Sequence, residues 1–471
     1  MRTLVWFRGK DLRVADHAPL TEAAAGGELI CVFVLDPFFF ASDRAAELPH
    51  RMQFLLSSLA SLEKNLAHAG SKLLIVPGRS VEVIPALAEQ LRVDRVFAHR
   101  WVEPFGRERD RRVAQALRVP FVLYEGETLA APGSIRTGAQ QAFSVFSPFA
   151  RAFAKVAQIG APIAAPKRLP PPPADALATA TVAVPTCAQL GLPDNPRVQS
   201  GGERQAHERL DAFMAAAGRR YHDARDRMDV AGTSRLSADL KFGTLSVRTV
   251  WARAQATLTG DALRVFCNEL IWREFAHHTL FDRPELLTRT FRADFAGFPY
   301  RHDAEGWSAW TQGRTGYPVV DASARQLLGC GFVHNRARMI SASFLTKHLL
   351  IDFRLGEAHY LKWLTDGDWA QNVAGWQWSA GCGCDAQPYF RVFNPRLQGE
   401  RFDPEGDYVR AWVPELAKMP AKYIHCPAEA PPDVLRSAGV VLGESYPRPI
   451  VAHEAARARF LAAAKAHLGR P

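Results

Sequence analysis

Cysteine is scarce in this chain: the seven present among 471 residues are scattered and odd in number. That excludes a disulfide framework. Cys382 and Cys384 form a lone C-x-C with no second pair or histidine cluster, so small buried residues are expected there and no metal site. No apolar run approaches membrane-spanning length, and Met1 to Gly9 reads as a strand, not as a signal peptide. A soluble, cytoplasmic, reducing setting is the expectation. No G-x-G-x-x-G follows the first apolar run, which removes the dinucleotide fingerprint. No internal repeat stands out. Neither sign of charge dominates strongly: 58 Lys+Arg against 48 Asp+Glu give +10, which favours an anionic partner without identifying it.

What is present is the composition of a globular protein, 48% apolar and 23% charged, with 11 Trp the one unusual count. The length exceeds one hydrophobic core, so two or three domains are expected. Short apolar runs at Thr3–Phe7, Ile30–Leu35, Lys72–Val76, Arg95–Ala98 and Phe121–Tyr124 alternate with helical patterns. Among these, Met52, Leu55, Leu56, Leu59, Leu62 and Leu66 make one apolar face. This predicts an α/β domain over residues 1–130, with a parallel sheet whose ligands would sit at the carboxyl ends of its strands. Residues 131–200 are read as a connector, rich in Ala and Pro and including Pro170–Pro173. From 201 to 471 the β signal nearly vanishes, and a mainly α-helical domain is predicted.

That second region holds most of the unusual residues. Asp368, Asn372 and Trp376 recur every fourth residue and share one helical face. An acid, an amide and a large aromatic suit a flat, polar-edged ligand better than an apolar core. Downstream, Arg391, Asn394, Arg396 and Arg401 interleave with Tyr389, Phe390 and Phe393, a mixture able to meet phosphate and base together. The cluster Thr233, Ser234, Ser237 reads either as a phosphate cradle or as ordinary helix capping. In NELIWREF, Glu269 and Trp272 face the same way, or Glu269 simply pairs with Arg273. HNRARMI sets Asn335, Arg338 and Met339 on one face and turns Arg336 away.

Together these segments resemble the photolyase/cryptochrome family, nearest to class I cyclobutane pyrimidine dimer photolyases. The motifs run nearly end to end: WFRGKDLRVADH at 6–17, FSVFSPF at 143–149, GTSRLS, NELIWREF, TGYPVVDA at 315–322, HNRARM, DGDWAQN, GWQW and YFRVFNP. The resemblance implies an α/β domain and a helical domain with non-covalent FAD, held by Tyr221, Thr233, Ser234, Leu236, Ser237, Arg273, Arg338, Asp366, Asp368 and Asn372. Arg338 and Asp366 would pair beside the isoalloxazine, and Asn372 would face its N5. Glu269, Trp272, Asn335, Met339 and Trp378 match the positions that hold a flipped-out lesion. Arg225, Arg336 and Arg391 match phosphate contacts to UV-damaged DNA. A monomeric, light-driven lyase is expected, with a cryptochrome-like photoreceptor as the alternative. Asn372, where plant-type cryptochromes carry Asp and animal-type ones Cys, favours repair.

Three departures accompany the resemblance. Trp376 keeps the flavin-proximal place of the family's electron-transfer chain, but Phe353 and Tyr300 stand at its middle and distal places; Tyr360, Trp363 and Trp369 are possible substitutes. Phe105-Gly106 replaces the Asn-Glu pair of folate-binding members. An 8-hydroxy-5-deazaflavin antenna is therefore favoured, through Glu103, Lys241 and Asp36, with FMN or an empty site as alternatives. Trp101 replaces an acid in that subgroup. Finally, WFRGKDLR is one residue longer than the commonest form.

Overall fold

The computed structural model describes residues 1–469, which form two compact units. The first comprises Met1–Arg219 and Ser234–Pro284. Its centre is a five-stranded parallel sheet of β1 (Arg2–Phe7), β2 (Glu28–Leu35), β3 (Leu73–Pro77), β4 (Arg95–His99) and β5 (Phe121–Tyr124), in the order β3-β2-β1-β4-β5. Leu4 pairs with Ile30 on one side and with Val96 on the other. Side chains alternate between faces, so Val5, Phe7, Cys31 and Phe33 join one core and Leu4, Trp6, Ile30 and Val32 the other. Pro49–His68 covers the first face with Met52, Leu55, Leu56, Leu59, Leu62 and Leu66. Ser80–Gln90 and Pro104–Ala116 cover the second with Ile84, Leu87 and Val113. Chain order reverses between β1 and β4, which places the sheet's ligand crevice there.

The proline-rich segment is tied to this unit by backbone bonds, Leu169 to the Ala69 carbonyl (2.7 Å) and Val182 to that of Ile75 (2.9 Å). Compactness divides the chain elsewhere than at residue 200, because helical segments of the second half belong to the first unit. The Arg209 guanidinium grips the buried Asp239 at 3.0 and 2.6 Å, and Leu12 N–H donates to the Phe242 carbonyl at 3.2 Å. Gly243 lies at φ +61°, where a Cβ would stand 1.9 Å from the Lys10 carbonyl oxygen. Only glycine fits that approach.

Asp11, His17 and His99 form a fully buried trio at the end of β1. His17 Nδ1 accepts the Leu20 amide, so its ring proton sits on Nε2, facing Asp11 Oδ2. A proton there closes that nitrogen, 3.7 Å from Asp11 Oδ2, to a cation, while His99 Nδ1 hydrogen-bonds the same oxygen at 3.2 Å.

The second unit, Arg220–Thr233 with the chain from Glu285 onward, is helical. Pro318–Cys330, Asn335–Ser343, Phe353–Trp363, Trp369–Ala380 and His453–Leu468 surround a core that includes Phe344, Leu345, Trp376 and Phe460. The helical pattern at 335–350 is realised as Asn335–Ser343 followed by a π-helical turn, Phe344–His348. Asp321 splices the unit: Thr315 donates its N–H (2.7 Å) and Oγ1–H (2.6 Å) to one oxygen, Gly316 N–H (3.1 Å) and Tyr446 O–H (2.6 Å) to the other.

Burial holds several histidines neutral: His99 and His348 are pushed down to about 3, and His278, His334 and His359 to about 4. The unfolded chain protonates them below about pH 6.5 while the folded chain resists, so stability is full above that pH and falls as it is lowered. The midpoint of thermal unfolding is expected to drop between pH 7.5 and 5; a flat profile would contradict the assignment. Gly243→Ala is expected to cost about 2–4 kcal/mol in urea unfolding, from left-handed strain plus overpacking.

Candidate functional site

In the second unit, the helix Trp369–Ala380 is capped by Asp368, whose Oδ1 accepts the Gln371 amide at 3.1 Å. Asn372 is buried and donates from Nδ2 to the Glu357 carbonyl at 3.0 Å. Trp376 is buried one turn later. The neighbouring helix makes room for its indole at Gly356, where a Cβ would stand 2.2 Å from the ring. Trp378, about 200° round the helix from Trp376, is half-buried. Between them Gln377 fixes the helix: its Nε2 donates to the Leu286 (3.2 Å) and Arg289 (2.9 Å) carbonyls, and its Oε1 accepts Phe291 N–H at 2.9 Å.

Arg338 donates from Nε to the Val333 carbonyl and from Nη2 to Asp366 Oδ2, each at 2.8 Å. The other Asp366 oxygen, Oδ1, is buried and has no partner. A buried carboxylate oxygen needs a donor. A flavin brings an imide N–H and ribityl hydroxyls, so the residues present fit FAD. Tyr221 is buried with Arg225 5.8 Å above its ring, and Thr233 is half-buried. In the first unit, Ser234 is half-buried and Leu236 buried, while Ser237 is exposed and opens the helix Ser237–Phe242. Arg273 donates from Nη1 to the Glu127 carbonyl at 2.8 Å.

Glu269 and Trp272 lie half-buried on the long helix Gly260–Asp282 of the first unit. One face of the Trp272 indole is stacked on Phe146 (3.7 Å, 5°), so a base has the opposite face to meet. In the second unit, Asn335 is exposed and its Nδ2 lies 3.7 Å from Met339 Sδ. Arg336 is engaged by Asp226 at 2.8 Å and lies over the Phe402 ring. Arg391 is exposed, and Phe390 beside it is 59% exposed. Two residues grouped with this surface are structural: Arg396 pairs with Glu400 (2.8 Å) and Glu429, and Asn394 caps Pro395–Phe402.

Two features escaped sequence reasoning. Lys347 is fully buried in the π-helical turn and donates to the Arg391 carbonyl at 2.8 Å; burial lowers its pKa to about 7. A single lysine inside FLTKHLL carries no pattern that flags it. The rings of Trp307, Trp310, Tyr360 and Trp376 touch in sequence. Only the i, i+3 spacing of Trp307 and Trp310 hinted at this.

The three residues expected to meet an antenna lie in the first unit. Asp36 Oδ1 accepts Phe38 N–H (3.1 Å), and its Oδ2 accepts Ser80 N–H (2.8 Å) and Oγ–H (2.7 Å). Glu103 pairs with the buried Lys10 at 3.1 Å, and the Lys241 ammonium lies 4.2 Å from the Phe242 ring centre. Asp36 and Glu103 thus already have partners within the fold. Beyond the ends of β1 and β4 the buried Trp101 indole fills the crevice, with Arg109 4.4 Å and Arg8 5.6 Å from its ring centre. A Cβ at Gly106 would stand 2.5 Å from that indole, so the helix presses directly on it.

Two family models match this chain, "DNA photolyase" over residues 3–173 and "FAD binding domain of DNA photolyase" over 266–466. A deoxyribodipyrimidine photo-lyase of Agrobacterium fabrum is 40% identical, aligned over 98% of this chain and 97% of its own. That of Escherichia coli K12 is 38% identical over 98% of each. Among solved structures, a bacterial class III photolyase from Agrobacterium tumefaciens superimposes with a TM-score of 0.92 at 38% identity, covering 100% of this chain and 98% of its own. A Synechocystis cryptochrome gives 0.89 at 31%, covering 98% and 99%. An archaeal photolyase from Sulfolobus tokodaii, solved with two FAD molecules, gives 0.83 at 28%, covering 99% and 100%. Likeness of this extent, over both family models and both ends of the chain, makes this protein a member of the DNA photolyase family.

Proposed function

We propose that this protein is a light-dependent DNA repair enzyme that splits cyclobutane pyrimidine dimers. The observation that carries the reading is the Arg338–Asp366 pair with its unpartnered buried oxygen, on the unit that also bears Asn372 and Trp378. FAD, when bound in reduced form, supplies the light-excited electron donor.

The chain's own residues divide the remaining work. Tyr221, Thr233, Ser234, Leu236, Ser237 and Arg273 hold the phosphates and ribityl chain, while Arg338, Asp366 and Asp368 fix the polar edge of the ring. Asn372 presents a neutral amide, which neither repels an anionic ring nor readily protonates it. Glu269 hydrogen-bonds a pyrimidine carbonyl and stabilises negative charge as it grows there. Trp272, on the face opposite Phe146, and Trp378 offer stacking surfaces to the bases, and Asn335 and Met339 offer further contacts to the lesion. Arg225 and Arg391 meet backbone phosphates, and Arg336 exchanges Asp226 for one. These contacts supply affinity and salt dependence.

The likeness to a Synechocystis cryptochrome favours a second reading, a blue-light receptor without repair activity. Both readings are decided by mixing reduced holoprotein with a dimer-containing oligonucleotide, illuminating it and following recovery of the base absorbance. Repair is expected, and Glu269→Ala should lower its rate by about a hundredfold with FAD content unchanged. No repair by the wild-type protein moves the conclusion to the receptor. Titration with FMN should show no binding at the sheet crevice of the wild-type protein and a new site in Trp101→Gly; equal binding by both would show that the indole yields.

A further inference from the structure

The buried indole of Trp376 meets two rings edge-on, Tyr360 at 5.1 Å and Trp310 at 6.1 Å. Trp310 stacks on Trp307 (5.5 Å, 27°), which lies one turn earlier on Ala304–Gln312 and is half-buried. A run of indoles therefore leads from the interior of the second unit to solvent. We propose that Trp376, Trp310 and Trp307 form a one-electron conduit from the protein surface to the flavin, replacing a line through Phe353 and Tyr300. This inference rests on the FAD site proposed above.

The chemistry of the neighbouring rings selects this route. A phenylalanine ring is far harder to oxidise than an indole, so an electron vacancy on Trp376 does not pass to Phe353, and Tyr300 lies 6.5 Å beyond that ring. Tyr360 touches both Trp376 and Trp310, but a phenol loses an electron readily only when its proton can leave. Its O–H group lies against Ser323 Oγ at 3.3 Å, a hydroxyl that is no base, and burial raises the phenol's pKa. Trp310 needs no proton acceptor. Its Nε1–H donates to the Ser341 carbonyl at 3.2 Å, whose partial negative charge favours a transient positive indole in a low-dielectric core. His359 packs on both Trp307 (5.8 Å) and Trp310 (5.5 Å), and burial holds it neutral, at about 4. His359 itself therefore adds no positive charge beside the two indoles.

The electrons balance as follows. Trp376 gives one electron to light-excited oxidised flavin, Trp310 refills Trp376, and Trp307 refills Trp310. The vacancy rests on Trp307, whose N–H proton passes to water. A thiol in the medium returns one electron, Trp307 regains its proton, and two such thiols join as a disulfide. The net transfer is one electron per event from thiol to flavin.

The test uses oxidised holoprotein with a thiol present, blue light, and transient absorption of tryptophan radicals alongside bleaching of the flavin band. Trp310→Phe is expected to slow bleaching by at least about tenfold and to abolish the long-lived radical. Trp307→Phe, at a half-buried site that tolerates the change, should shorten the radical's lifetime, while Tyr300→Phe should leave both signals unchanged. Trp310→Phe protein reduced chemically should still repair as the wild type does, which separates a lost conduit from a damaged site. Bleaching that survives Trp310→Phe and Trp307→Phe but fails in Tyr300→Phe overturns the route. Purified protein without FAD overturns the flavin site itself.

Discussion

The candidate site of the second unit depends on one buried amide. Gln377 spends both donors and an acceptor on three backbone groups between Leu286 and Phe291. Each partner would otherwise be an unsatisfied polar group in a dry interior, so the clamp is held by the cost of breaking it. It sets the rotation of Trp369–Ala380, and through that rotation the direction of every side chain along the helix. Asn372 and Trp376 then lie inward together, and Trp378 is carried round to another side. Gly356 completes the arrangement, because no larger residue leaves space for the Trp376 indole.

The buried carboxylates show which acid is structural and which awaits a ligand. Asp321 receives four donors, and Asp239 has both oxygens occupied by Arg209, Gln199 and Thr244. Burial raises the pKa of each, and the donors oppose that rise. These acids splice segments together. Asp366 differs: one oxygen is paired with Arg338 and the other, equally buried, has nothing. That oxygen can take a donor from outside the chain.

Aromatic rings do opposite work in the two units. In the first, Trp101 is packed between guanidinium groups and closes the crevice where a doubly wound sheet would ordinarily take its ligand. In the second, rings in edge-on and stacked contact run outward from a buried indole. The difference lies in what surrounds them. Cations pin the first indole and disfavour its oxidation, whereas a carbonyl and a neutral histidine face the others.

The strand runs, the leucine face of Pro49–His68 and the lack of a dinucleotide fingerprint were legible because periodicity and turn chemistry are local properties. So was the grouping of Asp368, Asn372 and Trp376, since helical spacing alone aligns them. Tertiary structure decided the rest. It assigned 201–219 and 234–284 to the sheet unit through Arg209–Asp239 and the close approach at Gly243, contacts that no periodicity encodes. It also gave Asp36 a capping role and paired Glu103 with Lys10 and Arg396 with Glu400. Residue type names what a side chain is able to bind. Whether its polar atoms are already spent on a neighbour is settled only when distant segments pack.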